Sequence, residues 1–244
     1  MIKYGLIGRD ISYSFSRSYF AEKFQREHIE AEYLNFDLQQ LSELPQILKQ
    51  HQDINGLNVT IPYKEEILPF LDDMSSEALE IGAVNTIKFL KDGRLKGYNT
   101  DYTGFKDSIK PFLKPYHDKA LILGTGGASK AILYALKKLN LEAVFVSRTP
   151  SENSLSYQQL NEKVMKSHKL IINCTPLGTF PKVEDYPPIP LEYVTSKHLV
   201  FDLIYNPPVT KLMELCKING ATVVNGQKML ELQAEKSWEI WSQK

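Results

Sequence analysis

Cysteine is scarce in this chain. Its 244 residues hold two, Cys174 and Cys216, with no C-x-x-C pair and no adjacent histidine, which excludes a disulfide framework and a thiolate metal centre. The five histidines, at 28, 51, 117, 168 and 198, are scattered without ligand spacing, so no metal is expected. Charge of one sign is lacking too. The 29 basic and 29 acidic residues cancel, and no long single-sign run supplies a nucleic-acid footprint or an acidic tail. No apolar stretch reaches membrane-spanning length, and residues 1–8 are too short and too strand-like for a signal peptide. Solenoid repeats and low-complexity tracts are absent as well. The expectation is a cytoplasmic protein that works on small molecules, as a monomer or homodimer, with no nucleic-acid partner and no membrane.

What the chain does have is core-forming material. Hydrophobic residues make up 43%, enough for one large domain or two small ones. Residues 2–8, 33–37 and 54–59 read as strands, and 18–28, 38–51 and 63–71 carry helical spacing. Residues 83–98 read as a hairpin about Asp92-Gly93, and Thr100 or Asp101 caps the helix that follows. A proline-punctuated segment, Lys110-Pro-Phe-Leu-Lys-Pro115, then leads to a second alternating region, with strands at 143–147, 169–174, 198–203 and 221–224. The pattern predicts an α/β fold of two α/β domains with a cleft between them, where small ligands and cofactors meet.

The sharpest feature lies at the start of the second region, where Leu121-Ile-Leu123 breaks at Gly124-Thr125-Gly126-Gly127-Ala128 into an amphipathic helix. Glycines let the backbone turn tightly and approach a bound group, while the opening helix aims free N–H groups and its positive dipole end at an anion such as a pyrophosphate. Plain strand-to-helix packing also uses glycine corners. About 20 residues on, where a dinucleotide fold reads the adenosine ribose, an NAD site usually carries Asp or Glu. Here Ser147, Arg148 and Thr149 offer a cation and hydroxyls, which suit a 2′-phosphate and point to NADP before NAD.

Candidate chemistry sits at the ends of elements in the first region. Asn58-Val-Thr60-Ile-Pro62-Tyr-Lys64 runs off a strand into a turn, and Lys64 is read at a helix start, where a cation is electrostatically out of place. Asn85-Thr86 and Asn99-Thr-Asp101 add amides and an acid. Brought to one crevice, Lys64 and Asp101 form an ammonium–carboxylate pair able to deliver or accept a proton at a substrate hydroxyl.

Taken in order, these motifs resemble the shikimate dehydrogenase family over nearly the whole chain. Ser14-Phe-Ser16 is similar to the family's S-x-S, which implies that Ser14 and Ser16 hold the substrate carboxylate. Asn58-Val-Thr60 with Pro62 and Lys64 is similar to N-V-T-x-P-x-K, implying that Thr60 contacts substrate and Lys64 is catalytic. Gly82-Ala-Val-Asn85-Thr86 and Asn99-Thr-Asp101 match the amide and acid positions, and Asn173-Cys-Thr-Pro-Leu-Gly178 and Asp202-Leu203-Ile-Tyr205-Asn-Pro-Pro continue the order. Gly226-Gln-Lys-Met-Leu-Glu-Leu-Gln233-Ala resembles the closing G-x-x-M-L-x-x-Q-A. The resemblance implies that Leu203 and Gly226 lie by the nicotinamide, and that Asn85, Asp101, Tyr205 and Gln233 read ring hydroxyls. It also implies a substrate-binding and catalytic domain at 1–100 plus 226–244 and a Rossmann-like NADP-binding domain at 101–225.

The activity implied is reversible NADPH-dependent reduction of 3-dehydroshikimate to shikimate, a step toward aromatic amino acids. Three departures stand out: Arg17 where many members have proline, Ser147 where asparagine is common, and Glu152 where a second arginine often assists. An acid at 152 repels phosphate and favours an alternative, an NAD-preferring quinate/shikimate dehydrogenase. From another class stands a catalytically silent nucleotide-binding redox sensor, which would have no use for Lys64, Asp101 and Gln233 together.

Overall fold

Branched and aromatic residues alternate along Ile2–Gly8 (β1), then Phe15–Arg26 forms a helix (α1) that leads to Ala31–Asp37 (β2). These belong to a computed structural model that describes residues 2–12 and 14–243. Contacts divide the chain into one unit of 1–100 with 233–244 and another of 101–232. The return to the first unit falls within the last helix, beyond Gly226 where the sequence reading places it.

The first unit continues through Leu44–Gln50 (α2), Ile54–Val59 (β3), Asp73–Met74 (β4), Ser76–Ile81 (α3), Thr86–Phe89 (β5) and Leu95–Tyr98 (β6). Its six-stranded sheet has the order β2-β1-β3-β5-β6-β4, with β1 parallel to β2 and β3, and β5 antiparallel to both β3 and β6. The β5–β6 pair is the hairpin expected about Asp92-Gly93, and Gly93 adopts the left-handed φ of 86° that its turn demands.

Two helical expectations fail here for the same reason. Residues 63–71 form turns and a short 3₁₀ segment, Leu68–Phe70, because Pro69 lacks the N–H a helix needs and disfavours helical backbone at Leu68. The 38–51 helix is likewise reduced to a 3₁₀ turn, Leu41–Glu43, followed by α2, which starts where Pro45 fits the first helical turn.

The second unit holds Asp101–Ile109 (α4), Lys119–Leu123 (β7), Gly127–Lys138 (α5), Glu142–Ser147 (β8), Ser154–Ser156 (β9) and Glu162–Ser167 (α6). Leu170–Asn173 (β10), Leu199–Asp202 (β11), Lys211–Ile218 (α7) and Thr222–Asn225 (β12) follow, and Gln227–Ser242 (α8) closes the chain. Six strands lie in the order β12-β11-β10-β7-β8-β9, every pair parallel. The order reverses at β7, whose carboxyl end carries the glycine-rich turn, the place where open parallel sheets bind ligands. Strands β7, β10 and β11 are continuous apolar runs because both faces are covered.

The C-terminal part of α8 belongs to the first unit, where Trp238, Ile240 and Trp241 join Tyr4, Phe20, Phe24 and Tyr33 in an aromatic core. Trp241 Nε1 donates to the Ile87 carbonyl at 2.9 Å. Gly56 is what lets the indole lie on β3, since a Cβ there would stand 2.3 Å from that nitrogen. Lys23, buried on α1, bridges Glu27 and Glu235 of α8, and the Tyr19 hydroxyl donates to Glu235 as well. No helix among the described residues is long and apolar enough to cross a membrane.

Candidate active site

The first unit encloses a cluster of polar side chains that a hydrophobic core would not tolerate unpaired. Asn58 at the end of β3, Asn85 and Thr86 at the entry to β5, Thr100, and Gln233 and Ser237 on α8 are all buried, Thr86, Thr100 and Ser237 completely. Asn58 Nδ2 donates toward the Asn85 carbonyl at 3.1 Å, Ser237 Oγ at 3.0 Å and Thr86 Oγ1 at 3.2 Å, while its Oδ1 accepts from the Tyr33 hydroxyl at 2.8 Å. The Thr100 N–H donates to Asn85 Oδ1 at 2.7 Å, and Asn85 Nδ2 faces Thr100 Oγ1 at 3.0 Å and Gln233 Oε1 at 3.4 Å.

Backbone groups give this cluster a direction. A main-chain N–H only donates and a carbonyl only accepts, so the Thr100 amide turns the Asn85 oxygen toward itself and the Asn85 carbonyl turns Asn58 Nδ2 inward. Asn85 Nδ2 must then donate, which leaves Gln233 presenting its oxygen to Asn85 and Thr100. The three amides are thereby oriented without ambiguity, the condition for reading donors and acceptors on a ligand.

Ser16 lies near the Tyr33 hydroxyl, whose ionisation burial pushes far up. Ser14 is the N-cap of α1, its Oγ accepting from the Arg17 N–H at 3.3 Å. A proline at 17 could not supply that donor, so the departure to arginine is consistent with the cap. Thr60 follows β3, its N–H donating to the Ile7 carbonyl at 2.8 Å. Lys64 lies four residues on, half-buried in a turn rather than at a helix start, so the dipole argument made for it from sequence falls away. Its backbone is held instead: the Lys64 carbonyl accepts from the Val84 N–H at 2.8 Å, and the buried Tyr63 beside it donates its hydroxyl to the Leu38 carbonyl at 2.6 Å.

In the second unit Asp101 opens α4, buried, as its first residue rather than as a cap outside it. Gly124 leaves β7 with φ of 101°, a value closed to most side chains, and Gly126 is the extended N-cap of α5 with nothing within 4 Å of where a Cβ would be. Thr125 and Gly126 are exposed, and Gly127 and Ala128 open the helix. Bare backbone at the start of a twelve-residue helix fits a pyrophosphate. Ser147 ends β8, beside β7, and its Oγ accepts from the Thr149 N–H at 3.2 Å; Arg148, Thr149 and Glu152 are exposed beyond it.

A second buried polar group, made of motif residues to which the sequence reading gives no role, lies at the ends of β10 and β11. Asp202 accepts from Asn173 Nδ2 at 3.0 Å, the Ile204 N–H at 3.1 Å and Thr210 Oγ1 at 2.7 Å, yet burial dominates and pushes its carboxyl up to about 6. Asn173 Oδ1 in turn accepts from the Thr175 N–H and hydroxyl. These bonds shape the loops carrying Thr175 and Leu203–Tyr205. Gly226 is pressed against Leu203, whose carbonyl oxygen would lie 2.1 Å from an added Cβ, and Tyr205 is half-buried. Among the described residues no cluster of histidine, cysteine and acidic side chains could hold a metal.

Known proteins resemble this chain over nearly its whole length. The family described as the shikimate dehydrogenase substrate binding domain matches residues 6–87. A shikimate dehydrogenase (NADP(+)) of Clostridium botulinum is 40% identical over 248 residues, covering 97% of this chain and 95% of that protein. One from Methanosphaera stadtmanae is 36% identical, covering 98% and 91%. Among solved structures, shikimate 5-dehydrogenase from Thermus thermophilus in complex with NADP(H) and shikimate superposes with a TM-score of 0.88 at 31% identity, over 99% of this chain and 94% of that one.

The buried carboxylate gives a pH signature. Because the folded state raises the Asp202 pKa from its ordinary 3.8 to about 6, its proton is bound more tightly when folded. Its contribution to stability is therefore complete below pH about 4 and lost as pH rises through about 6. Urea unfolding of wild type should weaken relative to Asp202→Asn across that window, by about 3 kcal/mol in all. A difference between the two proteins that stays flat from pH 4 to 7 would contradict it.

Proposed function

The chain belongs to the shikimate dehydrogenase family, and from that premise we propose that it catalyses the reversible reduction of 3-dehydroshikimate to shikimate with NADPH. The observation that carries the reading in this chain is the directed amide cluster, Asn58, Asn85 and Gln233, fixed by backbone groups. A polyhydroxylated acid needs this kind of recognition, because each hydroxyl both donates and accepts. On this reading the enzyme works in the cytoplasm on small molecules.

Ser14 and Ser16 bind the substrate carboxylate through hydroxyl donors, and Thr60, Asn85, Asp101, Tyr205 and Gln233 bind and orient the ring hydroxyls. Gly124 to Ala128 cradle the cofactor pyrophosphate with backbone N–H groups, Ser147, Arg148 and Thr149 hold the 2′-phosphate, and Leu203 and Gly226 flank the nicotinamide. When bound, NADPH supplies a hydride to the substrate carbonyl carbon. Lys64 then delivers a proton to the oxygen as negative charge develops there, with Asp101 holding the ammonium charged and aimed. In the oxidative direction Lys64 takes the proton back. The domain assignment follows the same reading: residues 1–100 with the C-terminal segment bind substrate, and the parallel-sheet unit binds NADP.

Mixing the purified protein with shikimate or quinate, each with NADP⁺ or NAD⁺, tests the reading by absorbance of reduced nicotinamide. Shikimate with NADP⁺ should give the fastest signal, and silence in all four mixtures from folded protein would overturn the enzyme reading. With Arg148→Ala the KM for NADP⁺ should rise roughly tenfold or more while NAD⁺ use stays level, since a charge-assisted phosphate contact is worth roughly 1.5 to 3 kcal/mol; equal losses would refute the contact. Lys64→Ala should lower kcat about 10²-fold or more with little change in shikimate KM. Adding Asp101→Asn should cost little beyond the worse single variant if the two act as one unit; fully additive losses would separate their roles.

A further inference from the structure

We propose that Ser237 is a positioning residue for the substrate site: its hydroxyl fixes the turn of α8 about its own axis and so aims Gln233. The proposal rests on the reading of Gln233 as a substrate contact.

Ser237 stands one helical turn after Gln233 and has no exposed surface. Its Oγ donates to the Gln233 carbonyl at 3.0 Å, which frees its lone pairs to accept from Asn58 Nδ2 at 3.0 Å and from Thr86 Oγ1 at 2.8 Å. The Thr100 hydroxyl stands 3.2 Å away. One small hydroxyl thus answers donors on β3 and β5 from the middle of a helix. Of its neighbours on that buried stretch, Ala234 and Trp238 are anchored by packing, which tolerates a small rotation better than short hydrogen bonds do, and Trp241 has its own hydrogen bond to the Ile87 carbonyl one turn further on.

Trp241 Nε1 on the Ile87 carbonyl and Lys88 Nζ on the Ile240 carbonyl hold α8 nearer its end, and the Lys23–Glu235 ion pair ends on a carboxylate 43% exposed, where such pairs contribute little; Ser237 is the hold that reaches the side chains of β3 and β5. Hydrogen bonds thus link the Tyr33, Asn58 and Ser237 side chains to the Gln233 carbonyl. They set the turn of α8, and with it the direction of the hydroxyl reader, from beneath the site, independently of the exposed loop ends.

Kinetics of Ser237→Ala, Ser237→Cys, Gln233→Ala and the Ser237→Ala/Gln233→Ala double variant test this. Ser237→Ala should raise the shikimate KM roughly three- to tenfold, the scale of one hydrogen bond, with kcat within about twofold. In the Gln233→Ala background it should add nothing further. Ser237→Cys nearly keeps the volume but hydrogen-bonds weakly, so it should resemble the alanine variant. An unchanged KM, a loss that adds fully to that of Gln233→Ala, or recovery by cysteine would overturn the proposal in favour of simple packing. If wild type oxidises no shikimate, the functional reading fails separately, and the ligand-free protein decides. The Gln233 side-chain NH₂ resonances, assigned by their loss in Gln233→Ala, should shift in Ser237→Ala, and an unmoved pair would overturn the positioning role.

Discussion

A carboxamide buried in a sheet has to find a partner for its oxygen and for both hydrogens, and Asn58 meets that demand by drawing four parts of the chain together. Tyr33 comes from β2, the Asn85 carbonyl from the entry to β5, Thr86 from β5 itself and Ser237 from α8. Leaving such a group unanswered costs about 1–3 kcal/mol. The requirement therefore acts against any register of β3 and any rotation of α8 that misplaces a partner. Because two of the groups that orient the cluster are main-chain atoms, the direction of every amide follows from the fold itself.

The second unit uses the same device with a charge. Asp202 ends β11 among Asn173, Thr210 and the Ile204 amide, and it shapes the loops that leave two neighbouring strands. Its three donors answer a carboxylate well, yet its raised pKa means that burial outweighs them. What the carboxylate costs in stability it returns as loop geometry, with Gly226 seated against Leu203 and the Thr210 hydroxyl both bonding the acid and capping α7.

Much of this was legible in the residues. The parallel strands of the second unit are apolar runs that periodicity detects, the Asp92-Gly93 hairpin follows from turn chemistry, and the glycine-rich corner carries its own steric logic. Two helices in the first unit were overread because apolar spacing at 63–71 and 38–51 spoke louder than Pro69 and Pro45. The short edge strands β4 and β9 had too few residues for any period. Site residues at the ends of elements stand out by their chemistry, whereas Tyr33 and Ser237 do not, and Thr100 and Asp202 stand out only as a cap and a motif residue. A tyrosine, threonine or serine reads the same in a list whether it packs or connects, and only tertiary pairing tells the two apart. The one signal available for Ser237 was its place four residues after Gln233, between tryptophans, on a helix face that had to be buried.

The first unit is discontinuous in the chain, taking residues 1–100 and then 233–244. Its amide cluster needs Gln233 and Ser237, and its aromatic core needs Trp238 and Trp241. A ribosome adds on the order of 10 residues per second, so for roughly ten seconds the emerging N-terminal sheet exists without the helix that completes it. During that interval Tyr4, Phe20 and Tyr33 lack their indole partners and Asn58 lacks a serine. The half of the protein made first is consequently the half that finishes last.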